Sequence, residues 1–149
     1  VPQASVPSPS VKVQDQVAEL KPPPLVATDR EVRRFFADYV ERYAQKDVGR
    51  FISLFSSKAI QNQKDGLEGI KRIYDNFFNQ SEELRYRLED TRIEIYQNAV
   101  EIKARYEIDQ ILKGEGEKKI WRGQAQWVLV KEEGALKITT LNYQHDKSP

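Results

Sequence analysis

Hydrophobic residues recur along the chain with two different periods, and the change from one to the other lies near residue 82. From Val32 to Phe78 they return every three or four positions, which predicts amphipathic helices. From Leu84 onward they alternate with polar residues, which predicts strands with one buried face. Because the helical part precedes the strands, the pattern predicts an α+β fold in which helices pack on an antiparallel sheet.

Three helices are predicted from apolar stripes that follow capping residues. The first stripe runs from Val32 to Tyr43, the second helix is short with Phe55 on its inward side, and the third ends at residues 79–81. Side chains of Thr, Asp and Glu just before a stripe can bond the free amides of the first helical turn. The residues in this position are Thr28 with Glu31, Asp47, and Asp65 with Glu68.

Four long strands follow, and two of them change parity. The last strand, LKITTLNY, shifts from Leu136 and Ile138 to Leu141 and Tyr143. The segment LRYRLEDTRIEIY needs one extra residue around 89–91 to keep a single buried face, which predicts a β-bulge. In KIWRGQAQWVLV one face carries Trp121, Gly123, Ala125 and Trp127. Two small residues between two tryptophans leave a space, and we expect a helix residue or a ligand to occupy it.

Proline composition divides the chain. Six of the seven prolines lie in residues 1–24, so residues 1–27 are predicted to be a flexible Pro-rich linker. Residues 28–145 form the predicted domain and residues 146–149 a tail. This organisation favours a module at the C-terminal end of a larger bacterial protein.

Charge and composition exclude several classes of function. The net charge is +1, from 24 basic and 23 acidic residues, so binding to nucleic acid is not expected. There is no cysteine and a single histidine, His145, which predicts neither a metal site nor a cofactor. No apolar run is long enough for membrane insertion. The compartment stays open between cytoplasm and periplasm, with an envelope-associated parent protein as one interpretation.

Three segments carry a resemblance to a known family: FFADYVERYAQKDVGRFISLFS, GLEGIKRIYDNFF and WRGQAQWVLVKEEGALKITTLNY. Over residues 29–144 the chain resembles the nuclear transport factor 2-like superfamily, which includes SnoaL-like cyclases, ketosteroid isomerases, scytalone dehydratase and a kinase association domain. The resemblance implies a cystatin-like or nuclear transport factor 2-like cone. In it, three N-terminal helices pack in the concave face of a bent four-stranded antiparallel sheet, with a short extra strand as a candidate.

The cone of this superfamily implies a cavity fringed by aromatic rings. Buried tyrosines need hydrogen-bond partners, and a small hydrophobic ligand or a peptide can supply one. The alternative is that the same rings fill the cone as ordinary core. The candidate ligand-binding residues are Tyr39, Tyr43, Tyr74, Phe77, Tyr106, Trp121 and Trp127.

Acid–base catalysis has weak support from the sequence, and no catalytic residue is predicted. The inward positions of the second strand, residues 100 to 108, contain no carboxylate. Asp38 and Asp75 lie off the apolar stripes of their helices. Asp109, near a strand end, is the best lone candidate for a base, and His145 is expected on a surface tail.

The polar face of the sheet predicts self-association. In this superfamily the equivalent convex face commonly packs on a second copy. We therefore expect a homodimer through Arg105, Arg122, Gln124 and Gln126.

The leading interpretation is a non-catalytic module for self-association or for binding a protein, a peptide or a small hydrophobic ligand. One alternative is a SnoaL-like enzyme of the isomerase, cyclase or dehydratase type that acts on a hydrophobic small molecule by acid–base chemistry. The other is a structural domain with a filled cone.

Overall fold

Three helices and five strands follow one another along residues 24–146, the part of the chain that this computed structural model describes. The strands form one open sheet in the order β1-β5-β4-β3-β2. The predicted α+β arrangement is confirmed. In chain order the elements are α1 (Asp29–Gln45), α2 (Val48–Ile52), β1 (Phe55–Gln61), α3 (Leu67–Gln80), β2 (Ser81–Ile95), β3 (Val100–Leu112), β4 (Lys118–Glu132) and β5 (Ala135–His145).

Capping explains where two of the helices begin. The Thr28 hydroxyl accepts from the amide of Glu31 at 3.1 Å, and the Glu31 carboxylate accepts from the Thr28 amide at 3.2 Å, so the predicted capping box of α1 is confirmed. Asp47 caps α2 through the amide of Arg50 at 3.2 Å. The predicted capping box of α3 is wrong. That helix begins after Gly66, because the carbonyl of Asp65 is held in a turn by the Gln61 amide at 2.8 Å.

The short extra strand is real, and its direction makes the sheet mixed. Phe55 does not extend α2 as predicted, since that helix ends at Ile52 and Phe55 begins β1. Strand β1 pairs in parallel with β5, from Phe55 opposite Ile138 to Gln61 opposite Leu141. The other three pairings are antiparallel.

Both predicted changes of parity are register shifts in the sheet. Between Glu89 and Arg92 the pairing of β2 with β3 shifts, and Asp90 has a φ of 52° there. A second shift in the β4–β5 pairing lies between Val128 and Leu129, opposite the slip in β5. Bulges of this kind bend a strand, so they help the sheet to curve around the helices.

The packed structure includes two residues that precede the predicted start of the domain at residue 28. Residues 1–23 of the predicted linker and 147–149 of the predicted tail lie outside the described residues. Within the described part, Val26 donates to the carbonyl of Tyr96 at 2.9 Å and Ala27 is buried, so the packed structure begins before residue 28. No helix among residues 24–146 has the length and apolar character to cross a lipid bilayer.

Candidate functional site

An apolar cavity of about 170 Å³ lies between the helices and the concave face of the sheet. Its inner end is closed by fully buried rings, whereas its outer end is lined by half-buried Trp121 and Tyr143 and by exposed His145. The wall residues come from α1, α3 and strands β2 to β5. They are Tyr39, Tyr43, Ile73, Tyr74, Phe77, Tyr86, Tyr106, Ile108, Trp121, Ala125, Leu141, Tyr143 and His145.

The cavity brings together most of the predicted ligand-binding residues. Tyr39, Tyr43, Tyr74, Phe77, Tyr106 and Trp121 all belong to its wall. Several other wall residues were not predicted from the sequence, among them Tyr86, Tyr143 and His145. Each of the three lies an even number of positions from a buried residue of its own strand. The alternation along the strand therefore predicts that its side chain points to the same, inward face.

Trp127 lies in the core rather than in the cavity wall. Its side chain is fully buried, with ring centroids 5.0 Å from Phe36 and 5.8 Å from Tyr39. Trp127 and Trp121 share a strand face but lie at different depths, and only Trp121 reaches the cavity. We therefore leave Trp127 out of the proposed site.

The space beside Gly123 is filled by the neighbouring strand, neither by a helix residue nor by a ligand. Tyr106 of β3 pairs directly with Gly123 of β4. A Cβ added to Gly123 would lie 2.2 Å from the Gln144 carbonyl oxygen and 2.4 Å from the Tyr106 hydroxyl. Glycine is therefore required here, because the phenol ring lies across the strand where any side chain would stand.

His145 is not the surface-tail residue predicted from the sequence. It is the last residue of β5, where pairing with Gly123 of β4 holds its backbone. Its Nδ1 lies 2.6 Å from the Tyr106 hydroxyl, and its ring centroid lies 4.9 Å from that of Trp121. The prediction was wrong because β5 continues in register with β4 to this position.

A chain of hydrogen bonds fixes Trp121 at the mouth of the cavity. Its indole N–H donates to the Gln110 side-chain oxygen at 3.0 Å, and the Gln110 amide nitrogen donates to the Ser81 hydroxyl at 2.9 Å. The Ser81 hydroxyl donates in turn to the carbonyl of Phe77 at 2.7 Å. Gln110 and Ser81 are both buried, so the bonds satisfy polar groups that burial would otherwise leave unpaired.

Burial keeps the phenol groups of the cavity uncharged. It raises the pKa values of Tyr39, Tyr43, Tyr74 and Tyr86 well above their ordinary range, because ionised phenolates would lose their hydration. The Tyr74 hydroxyl donates to the buried Gln61 side-chain oxygen at 2.9 Å. Burial likewise raises the pKa of Tyr106.

No protein-family model and no curated protein matches the sequence. Among solved structures, a nuclear transport factor 2-like superfamily protein from Salmonella enterica serovar Typhimurium superposes with a TM-score of 0.70 at 16% identity, covering 80% of this chain and 91% of that one. A protein from Novosphingobium aromaticivorans, proposed to be a scytalone dehydratase, superposes with a TM-score of 0.73 at 14% identity over 79% and 83% of the two chains.

A third similar structure, from Xanthomonas campestris, is proposed to be a calcium/calmodulin-dependent protein kinase II association domain. Its TM-score is 0.72 at 13% identity, over 83% of this chain and 91% of that one. The chain has the nuclear transport factor 2-like fold. The resemblance read from the sequence is thus confirmed for the fold, and identities of this size leave the activity open.

Within this nuclear transport factor 2-like fold, the carboxylates weighed as bases lie outside the cavity wall. Asp109 does not turn inward as a bend in the strand would require. Its carboxylate lies 3.4 Å from the Arg87 guanidinium on the outer face of the sheet. Asp38 and Asp75 are half-buried on their helices and neither lines the cavity. Among the described residues, His145 is therefore the titratable group of the wall whose ordinary pKa lies near neutrality.

The convex face of the fold carries an ion-pair network. Glu107 is held between Arg87 and Arg122, the latter at 2.8 Å, and these two guanidinium groups lower the pKa of its carboxyl, Arg87 most. Arg105 pairs with Asp146 at 2.7 Å. Three predicted interface residues, Arg105, Gln124 and Gln126, line one shallow depression on this face, and Arg122 lies beside it.

One prediction concerns the charge of His145. The residue as a whole is exposed, but the Tyr106 and Trp121 rings cover part of its imidazole, and this partial burial lowers the pKa below the ordinary 6.5, against a smaller opposing effect of Asp146. Because it is the single histidine of the chain, a proton NMR titration of its ring reads this pKa without ambiguity. A value at or above 6.5 would contradict the burial argument.

The same lowering has a consequence for stability. The imidazole of His145 binds a proton more readily in the unfolded chain than in the folded protein. The free energy of unfolding therefore falls as the pH drops from about 7 through the pKa that this imidazole has in the folded state. We expect denaturation midpoints of the wild type to decrease over this window more than those of His145→Gln. Equal slopes for the two proteins would show that the imidazole contributes nothing to the pH dependence.

Proposed function

We propose that the chain is a non-catalytic nuclear transport factor 2-like module that binds a small hydrophobic ligand in its cone. The supporting observation is the cavity of about 170 Å³, whose wall among the described residues contains eight aromatic side chains and no Asp, Glu, Lys or Arg. Concave, mostly apolar sites with a few polar groups are typical of small-molecule binding. The Pro-rich composition of residues 1–27 further supports a module joined to another part of a larger protein.

The volume sets the size of the ligand. An apolar cavity of about 150 Å³ can hold benzene, so 170 Å³ accommodates roughly one six-membered ring. An extended peptide would need more space than this, although one side chain of a peptide could enter. The size therefore favours a small molecule or a single side chain over the other ligands considered.

Ala125→Leu tests whether the cavity is open. Ala125 lies in the wall, so a larger side chain would enter empty space instead of overpacking the core. We expect the free energy of unfolding to change by less than about 1 kcal/mol, well inside the 1–3 kcal/mol of an overpacked site. Chemical denaturation measures this change, and toluene should lose its ability to raise the melting temperature.

Ala135→Leu serves as the matched control, because Ala135 lies exposed at the start of β5. It should leave both stability and toluene binding as they are in the wild type. If Ala125→Leu costs more than about 3 kcal/mol, the space at this depth is already filled, and the proposed site reduces to its mouth near Trp121.

We further propose that two copies pair through the convex face. The supporting features are Arg105, Gln124 and Gln126, which line one depression of this face, and the absence of a large apolar patch there among the described residues, which suits a non-obligate interface. Light scattering at high micromolar concentration should give a dimer. A monomer at that concentration would contradict the proposal.

Gln124→Glu locates the interface. Two added carboxylates close to a two-fold axis repel each other, so this variant should be monomeric at concentrations where the wild type is dimeric. Gln97→Glu, in the exposed turn between β2 and β3, adds the same charge elsewhere and should stay dimeric. A dimer that persists in Gln124→Glu would place the contact on another surface.

One observation favours an enzyme as the second candidate. The imidazole of His145 lies at the cavity mouth, hydrogen-bonded to the Tyr106 hydroxyl at 2.6 Å. If Tyr106 accepts from Nδ1–H, the lone pair of Nε2 can take a proton from a bound molecule, and burial favours this neutral form. The chemistry would be proton abstraction from carbon next to a carbonyl group.

Deuterium exchange decides between the two candidates. A small cyclic ketone incubated in heavy water with the protein would lose an α-proton to His145 and regain a deuteron from solvent. Incorporation that is faster with the wild type than with His145→Gln would support the enzyme. Equal rates in the two proteins and in buffer would support the binding module.

A further inference from the structure

The cavity has no charged side chain in its wall among the described residues. Two ion pairs lie on the outer side of the strands that form the wall: Arg105 with Asp146 at 2.7 Å, and Arg122 with Glu107 at 2.8 Å. Inside, the wall consists of apolar groups, neutral phenols and one imidazole. An ion that entered would lose its hydration without meeting an opposite charge, which is strongly unfavourable.

The mouth of the cavity carries a hydrogen-bonding group, the imidazole of His145, whose orientation is fixed by its neighbours. The Nδ1 of His145 is engaged by the Tyr106 hydroxyl, and Nε2 has no hydrogen-bond partner among the described residues. The Tyr106 ring packs directly over Gly123, where an added Cβ would lie only 2.4 Å from the Tyr106 hydroxyl, and this close packing positions the hydroxyl that bonds the imidazole. Trp121, which lies beside His145, is itself fixed by Gln110. The imidazole at the outer end is therefore held in a fixed orientation with Nε2 available to a ligand.

We propose that the cavity selects a neutral molecule of about one six-membered ring that carries a single hydrogen-bonding group, with the ring among the buried tyrosines and the polar group on His145. This inference rests on the ligand-binding function proposed above and names its ligand class. Tyr106 and Gly123 act as positioning residues, since they orient the imidazole.

The experiment uses five probes that share one ring. Toluene has no polar group, benzyl alcohol and benzamide are neutral and polar, and benzylammonium and benzoate are their charged counterparts of similar shape. Binding to the full chain is followed at pH 8 by the shift in melting temperature and by intrinsic fluorescence of the Trp127→Phe variant, in which Trp121 of the wall is the single tryptophan. The melting shift converts to an affinity because only the folded state binds.

Benzyl alcohol should bind about 2- to 13-fold more tightly than toluene, the factor that one hydrogen bond supplies. Each ion should bind at least about 30-fold more weakly than its neutral counterpart, as the loss of hydration without compensation requires. His145→Phe keeps the ring and removes the nitrogens, so it should bind toluene normally and lose the preference for benzyl alcohol. His145→Gln should restore part of that preference.

The outcomes separate the two proposals. If toluene binds and benzyl alcohol binds no more tightly, or if the ions bind as well as the neutral probes, the ligand class is wrong and the cavity remains a binding site. If a preference exists but survives in His145→Phe, the anchor is another group. If no neutral probe binds at millimolar concentration, both proposals fail.

Discussion

Gly123→Ala is expected to lower the free energy of unfolding by about 3 kcal/mol, the upper part of the range for overpacked sites. The added methyl group would stand 2.2 Å from the Gln144 carbonyl oxygen, which is backbone, and 2.7 Å from Cζ of Tyr106. A flexible side chain could move aside, but the backbone of β5 can yield only by breaking its pairing with β4. Chemical denaturation measures the loss.

The substitution should also disturb the site. Because the Tyr106 ring must shift, its hydrogen bond with His145 is lost, and the NMR signals of the imidazole should move with it. Gly49→Ala is the matched control, since its new Cβ would meet only Asp47 Oδ1 at an ordinary 3.6 Å. That variant should be neutral or slightly stabilised, as alanine is favoured within a helix. Equal effects of the two substitutions would refute the close approach of Tyr106.

Trp127→Ala should have the largest effect on stability, a loss of about 4 kcal/mol, since it leaves a large void in the core. Trp127 is fully buried against Phe36 and Tyr39. Trp121→Ala removes the same side chain from a half-buried position and should cost about 1–2 kcal/mol, in proportion to the smaller area buried. Denaturation curves of the two variants, recorded side by side, give the comparison.

For ligand affinity we expect the opposite order, with a larger loss on substitution of Trp121 than of Trp127. Trp121→Ala should bind toluene and benzyl alcohol several-fold more weakly than the wild type, because Trp121 belongs to the cavity wall. If Trp127→Ala does not fold, Trp127→Phe keeps a ring in the core and should bind the probes as the wild type does. Weaker binding in Trp127→Phe than in Trp121→Phe would place the site deeper than we propose.

Capping and alternation patterns correctly predicted the features that depend only on residues close together in the sequence. The capping box of Thr28 and Glu31 and the bulge near Asp90 need only residues a few positions apart, so the sequence was sufficient for both. The parallel strand β1 was harder, because the segment FSSKAIQ is short, lies at a sheet edge and alternates poorly. Its pairing with β5 depends on residues some eighty positions away, which no local pattern encodes.

Depth and register explain what the sequence left out of the candidate site. The alternation of side chains along a strand places Trp121 and Trp127 on one face. It does not show that Trp127 lies in the core and Trp121 at the cavity. The role of Gly123 depends on which residue of β3 pairs with it, and that register became visible only in the sheet. His145 was predicted to lie on a tail because β5 was expected to end before it. The strand continues to His145, which lies on the same face as Leu141 and Tyr143.

The position of β5 in the sheet also bears on how the domain is made in the cell. The last strand to be synthesised lies second in the order of the sheet, between β1 and β4, and its final residue supplies the polar group of the cavity. A nascent chain that has emerged only as far as β4 would expose one edge of β4 and leave β1 without its partner. Such an intermediate offers unpaired strand edges to other chains, so the domain is open to edge-to-edge association until β5 has paired with both neighbours.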